Sequence, residues 1–181
     1  MFKHILIFIL FVSISNSNAE IIEKIIENLQ NVENLEFKFE QNINGKIENG
    51  ICTIKYPKKI YCKYSKNNKI LVSNGKSLVI KTETSFYRYS LKKTPLNLIL
   101  DKNFLIKKIN FLKENIIDKN LLNYTIVEND NEIDVFFDIK TFNLIGWKTR
   151  DIYQNTNITY LSSIETNKEI TKNLFRIPSQ N

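Results

Sequence analysis

Residues 35–56 read LEFKFEQNINGKIENGICTIKY, and the fold class follows from them. Leu35, Phe37, Phe39 and Gln41 alternate with Glu36, Lys38 and Glu40, so an extended chain here has one dry face and one wet face. A helix would scatter the same aromatics around its circumference. Asn44-Gly45 then supplies two residues that tolerate positive φ, which a tight hairpin requires. The returning strand, over 50–56, sets Cys52 and Ile54 against Thr53 and Lys55, and Pro57-Lys58-Lys59 ends it.

The same two-residue period recurs at 60–64, 70–73, 77–81 and 86–90, with turn-forming stretches at 65–69, 74–76 and 82–85, which predicts an antiparallel meander. Upstream the period changes: Ile21, Ile22, Ile25, Ile26 and Leu29 share one face of an amphipathic helix over 20–31. Downstream, Thr94-Pro95 reads as an N-cap and first helical position, opening a short apolar helix over 96–100. Residues 101–111 read as helical or irregular. Further strands are expected at 112–116, 122–127, 133–139, 144–149 and 157–164, and residues 175–178 close the chain. The total is roughly ten or eleven strands in one mainly β, α+β domain over 20–181. A sheet of that size curls, and helices can cover its concave face. A hollow β-structure with a helical lid is a candidate lipid pocket.

The segment ahead of this domain reads as an export signal. Lys3 precedes an apolar run from Ile5 to Val12, and Ser17-Asn18-Ala19 offers a small-x-small site for cleavage after Ala19. The run is shorter than the ~20 residues that span a bilayer, so the mature protein is expected to be exported and soluble. No lipid-attachment cysteine follows Ala19; the next residue is Glu20.

Composition narrows the chemistry. The single histidine, His4, falls in the signal, which removes His-based triads and His-rich metal sites from the mature chain. The net charge of +7 could favour anionic lipid or an acidic partner, or could reflect the Ile-, Lys- and Asn-rich composition of an AT-rich genome. The lysines are scattered without an arginine cluster, so nucleic-acid binding is not expected. Cys52 and Cys62 lie on consecutive strands, where a bridge is geometrically possible. Their parity with Ile54, Tyr56, Ile60 and Tyr64 favours two reduced core thiols instead. Glu128, Asp130, Glu132 and Asp134 cluster around one hairpin, but its Asn129-Asp130-Asn131 turn reads as a solvated loop rather than a catalytic carboxylate pair. No enzyme activity and no cofactor are expected.

Taken in order, the residues resemble the LolA-type carriers of outer-membrane lipoproteins. One block is Phe37-Lys38-Phe39-Glu40-Gln41, Gly45, Gly50, Pro57, Tyr61, Tyr64 and Leu71-Val72-Ser73-Asn74-Gly75-Lys76-Ser77-Leu78. It continues through Tyr89 to Thr94-Pro95-Leu96-Asn97-Leu98-Ile99-Leu100. The other is Leu144-Ile145-Gly146-Trp147, Asp151, Asn157-Ile158-Thr159 and Phe175-Arg176-Ile177-Pro178. The resemblance implies an incomplete antiparallel β-barrel with a helical lid, whose cavity holds lipoprotein acyl chains. It also implies cargo taken from an inner-membrane ABC transporter and delivered to an outer-membrane receptor of the LolB type. Each methylene kept from water is worth ~0.8 kcal/mol, so a multiply acylated protein needs such shielding to cross an aqueous space.

Strand parity proposes Phe37, Phe39, Ile54, Tyr56, Ile60, Cys62, Tyr64, Leu78, Ile80 and Phe86 as cavity residues, with Leu96, Leu98, Ile99 and Leu100 in the lid. Members of the resembled family carry an arginine before the proline that aligns with Pro57, and it bonds the lid closed. Tyr56 stands there in this chain, and a phenol can donate one hydrogen bond to a lid carbonyl. Only three residues follow Pro178, whereas some family members add a C-terminal strand or hairpin. The expected function is a monomeric lipoprotein chaperone. The alternative is an RseB-like lipid- or envelope-stress sensor on the same fold, a class that usually carries a further domain.

Overall fold

The computed structural model describes residues 17–112, 115–118, 120–129, 131–150 and 154–180. Residues 1–16 of the expected signal, and Asp130 and Asp151, lie outside them. Helix α1 (Ser17–Asn31) leads into β1 (Asn34–Ile43), β2 (Lys46–Lys55), β3 (Lys59–Tyr64), β4 (Ile70–Asn74), β5 (Ser77–Lys81) and β6 (Phe86–Ser90). A 3-10 turn (Leu91–Lys93), α2 (Leu96–Ile99) and α3 (Lys102–Ile109) follow. The chain then forms β7 (Asn115–Asp118), β8 (Leu121–Glu128), β9 (Asn131–Asp138), β10 (Leu144–Arg150) and β11 (Thr156–Thr166).

Among the described residues all eleven strands form one antiparallel sheet, in the order β6-β5-β4-β3-β2-β1-β11-β10-β9-β8-β7. Pairing of β1 with β11 joins the two meanders into one surface. The edges, β6 and β7, are not paired with each other, so the barrel is open. Asn44 and Gly45 take φ of 50° and 89°, and the Gly45 N–H donates to Asn42 Oδ1 at 2.7 Å. This two-residue loop lets the ladder restart at once, Ile43 opposite Lys46, which is why β2 begins before residue 50.

Helices α1 and α3 pack on the concave face. Ile25, Leu29, Leu105 and Ile109 share one buried core with Leu122, Tyr124, Ile126, Ile133, Val135 and Phe137. The C-terminal carbonyls of α1, which no helical turn can satisfy, are met from elsewhere. Lys102 Nζ donates to Gln30 O (3.0 Å) and Val32 O (2.9 Å), and Asn167 Nδ2 donates to Asn31 O (2.9 Å).

Three expectations need correction. The strand expected at 112–116 begins at Asn115, because Phe111 and Leu112 continue the α3 turn by donating to Lys108 O and Ile109 O. Thr94 is extended, and its hydroxyl donates back to Leu91 O at 2.8 Å instead of capping α2. Cys52 and Cys62 are not reduced: they form a disulfide. They are direct cross-strand partners on β2 and β3, with Cα atoms 4.0 Å apart, and shared core parity is also what aims both sulfurs to the same side.

Candidate functional site

The inner face of the first meander is built in rows set by register. Cys52, Cys62, Leu71 and Ile80 lie opposite one another across β2 to β5, and Phe39, Gly50 and Tyr64 form the adjacent row across β1 to β3. Gly50 is needed there, because a Cβ would lie 2.8 Å from Phe39 Cε1 and 2.9 Å from Tyr64 Cα. Without it the two rings meet edge to face, centroids 5.0 Å apart. Gly146 on β10 plays a similar part, since a Cβ would stand 2.5 Å from Thr159 O.

Between this wall and α2 lies a cavity of about 510 Å³. Its apolar surface comes from Phe39, Ile60, Leu71, Leu78, Ile80 and Trp147, the disulfide lies in its wall, and Pro95, Leu96 and Ile99 roof it. Trp147 is held by an edge contact with Phe37, 6.3 Å between centroids. One end is polar. Tyr64 donates to Gln41 Oε1 (3.3 Å), Gln41 Nε2 donates to Thr159 Oγ1 (3.3 Å), and Thr159 Oγ1 reaches Asn157 Oδ1 at 3.5 Å. Burial, with the charge of Glu48, pushes the Tyr64 hydroxyl above its usual range, so it stays a neutral donor. Lys69, paired with Glu48 at 2.6 Å, sits 4.0 Å over the Tyr64 ring.

Of the expected site residues, Phe39, Ile60, Cys62, Tyr64, Leu78, Ile80, Leu96 and Ile99 line this cavity. Phe37, Ile54 and Leu100 do not: they are fully buried in the core shared with α1 and α3. Leu98 is half-buried against the core margin. Phe86 is displaced by register. It pairs with Lys81, so Tyr87 and Tyr89, opposite Ile80 and Leu78, take the inner positions of β6.

Tyr56 makes no hydrogen bond to the lid among the described residues. It borders a crevice of only about 10 Å³ beside Asn28, Leu29 and Phe142, and among the described residues its buried hydroxyl has no hydrogen-bond partner. Burial pushes that hydroxyl above the usual tyrosine range. The bond from the β2–β3 turn to the lid comes from Lys58, whose N–H donates to Leu100 O (2.8 Å) and whose Nζ stands 3.2 Å from Asp101. Asp101 in turn caps α3 by accepting from the Phe104 N–H at 3.1 Å.

Gln41, Leu71 and Tyr89 line the cavity and were legible as inward positions once pairing was known, whereas Trp147, Thr149, Arg150, Asn157 and Thr159 arrive from the second meander. No local signal in the sequence links those five to the first wall. Two of the carboxylates near the β8–β9 hairpin have structural partners. Glu128 pairs with Lys108 at 2.6 Å, and buried Asp134 accepts from Thr125 at 2.6 Å and pairs with Lys148.

The family described as "Outer membrane lipoprotein carrier protein LolA" matches residues 30–178. No curated protein matches the chain in sequence. Among solved structures, an uncharacterized conserved protein from Thermus thermophilus is similar with a TM-score of 0.52 at 6% identity, covering 91% of this chain and 96% of that one. A putative outer membrane lipoprotein-sorting protein domain from Vibrio parahaemolyticus is similar with a TM-score of 0.50 at 10% identity, covering 88% and 96%. At such identities the likeness is one of fold.

Proposed function

The chain belongs to the LolA family, matched over residues 30–178, and on that premise we propose that it is a periplasmic carrier of lipoproteins. Acyl chains occupy the cavity beneath α2. The observation that carries this reading is the apolar cavity of about 510 Å³ roofed by the short α2 segment. The walls offer area with few directional contacts, which suits binding that must be reversed at delivery. Lys58 ties the lid to the β2–β3 turn through one backbone bond and one half-exposed ion pair, a closure weak enough for cargo to displace.

The carrier acts as a monomer, takes acylated lipoproteins from an inner-membrane ABC transporter and passes them to an outer-membrane receptor of the LolB type. It is a binding protein and not an enzyme. Cleavage after Ala19 leaves the apolar face of α1, which starts at Ile21, intact. The test is release of a purified triacylated lipoprotein from inner-membrane vesicles holding the matching transporter and ATP. Appearance of a soluble one-to-one complex is expected, and a lipoprotein that stays on the vesicles removes the carrier role.

A further inference from the structure

The two ends of the sheet are not alike. Strand β7 carries a register shift between Ile116 and Asp118, the kind of irregularity that spoils an edge for further pairing. Strand β6 pairs with β5 without a break from Phe86 to Ser90, and among the described residues no strand lies on its other side. The phase of its backbone groups follows from two bonds that flank this ladder. The Leu91 N–H donates to Lys76 O and the Thr82 N–H to Ser85 O, both at 2.9 Å. The bonded pairs between them are therefore Leu78 with Tyr89 and Ile80 with Tyr87, which leaves the N–H and C=O of Phe86 and Arg88 aimed away from β5. Tyr87, Arg88 and Tyr89 are exposed, and Tyr89 also lines the cavity, so the open edge borders the space beneath α2. Within this hairpin and the turn after it, Lys76, Lys81, Arg88, Lys92 and Lys93 stand against one carboxylate, Glu83, which accepts from Asn68. Among the described residues none of the five cations forms an ion pair.

We propose that the β6 edge takes the peptide tether of an acylated cargo, the residues that follow its acylated end, as an added antiparallel or parallel strand. The proposal rests on the carrier reading, because it needs acyl chains in the cavity. With the chains beneath α2, the attached polypeptide has to emerge at the cavity border, and at Tyr89 that border is an unpaired strand. Main-chain bonds to Phe86 and Arg88 hold a tether irrespective of its side chains. Alternate tether residues then fall beside Tyr87 and Tyr89 on the concave side and beside Phe86 and Arg88 on the convex side. The unpaired cations favour tethers that carry Asp or Glu. The same charge disfavours a second copy as the occupant, since pairing β6 with β6 would set Arg88 and the neighbouring lysines against their own equivalents.

The experiment compares triacylated cysteine alone, a triacylated cysteinyl peptide bearing glutamates, the same peptide without acyl chains, and the acylated peptide N-methylated on one or the other alternate set of amides. Affinity is read by displacement of a fluorescent fatty-acyl probe, and the edge by amide hydrogen exchange. The acylated peptide should slow exchange at the Phe86 and Arg88 amides by on the order of tenfold, and triacylated cysteine should not. One alternate set of amides faces the edge, and its methylation should weaken binding about three- to tenfold, the scale of a few exposed backbone bonds. Arg88→Pro removes an outward N–H without breaking a bond to β5, so it should weaken the acylated peptide to the same extent and leave triacylated cysteine unchanged. Where that variant folds poorly, the methylated ligands carry the comparison on the unaltered protein. Arg88→Glu should lower affinity for the glutamate peptide and raise it for a lysine counterpart. The proposal is overturned if neither methylated set weakens binding, if triacylated cysteine alone protects the edge equally, if the peptide binds as tightly without acyl chains, or if protection grows with protein concentration in the absence of ligand. If lipoprotein release persists in any of these cases, the carrier reading stands and the tether leaves the cavity unpaired. If no acyl ligand binds and no lipoprotein is released, both fall.

Discussion

The two meanders use the same alternating apolar pattern, yet one is filled and the other hollow. On β8 and β9, Leu122, Tyr124, Ile133, Val135 and Phe137 are wholly inaccessible, sealed in one core with Ile25, Leu105 and Ile109 of α1 and α3. On β3 to β6, Leu71 and Ile80 are only half-buried and Tyr89 is exposed, because the element above them is α2, a single turn of four residues. A helix that short presents Leu96 and Ile99 and cannot fill the curve of four strands. Hollow space is thus a matter of helix length over one half of a continuous sheet.

The comparison breaks most visibly at Phe137. Phe137→Ala should cost about 3–5 kcal/mol, since a sealed core cannot collapse around the loss, and urea denaturation would show it. Reduction of the Cys52–Cys62 bridge, ten residues apart, should cost about 2–3 kcal/mol by releasing a short loop in the unfolded chain, read as a shift in urea midpoint with reductant. Leu71→Ala, in the hollow half, should cost only about 1 kcal/mol of stability, because it enlarges a cavity already there. Its larger consequence should be a several-fold weaker affinity for an acyl probe. Equal stability losses at Leu71 and Phe137 would erase the distinction between the halves.

Two further tests sharpen it. Burial raises the Asp134 carboxyl, but hydrogen bonds from Lys148 and Thr125 and the charge of Lys148 outweigh it and hold the group below its ordinary 3.8. A depressed folded value stabilises above the ordinary value and is lost as pH falls through the folded one. The urea midpoint should therefore drop as pH falls below about 5, with a flatter profile in Asp134→Asn. The smallest effect is expected at Tyr56. Its buried hydroxyl has no partner among the described residues, so Tyr56→Phe should leave stability unchanged or raise it by up to about 1 kcal/mol, and should not alter lid exchange. Faster hydrogen exchange at Leu100 in that variant would return the latch role to Tyr56 from Lys58.

Period and turn chemistry determined the elements. Residues 35–56 declared a hairpin because alternation and Asn44-Gly45 act over nearest neighbours, and the later strands were readable for the same reason. Most of the first cavity wall followed, since parity within a strand is local. Phe86 failed because parity says nothing of where a new strand begins its pairing, and Tyr56 failed because a side chain's partner depends on which helix lies above it. The pairing of β1 with β11 and the choice between sealed core and cavity belonged to the tertiary structure alone. So did the arrival of Trp147 and Arg150 at the first wall. These features join residues about a hundred positions apart, and they depend on sheet curvature and helix length, which no window of sequence encodes.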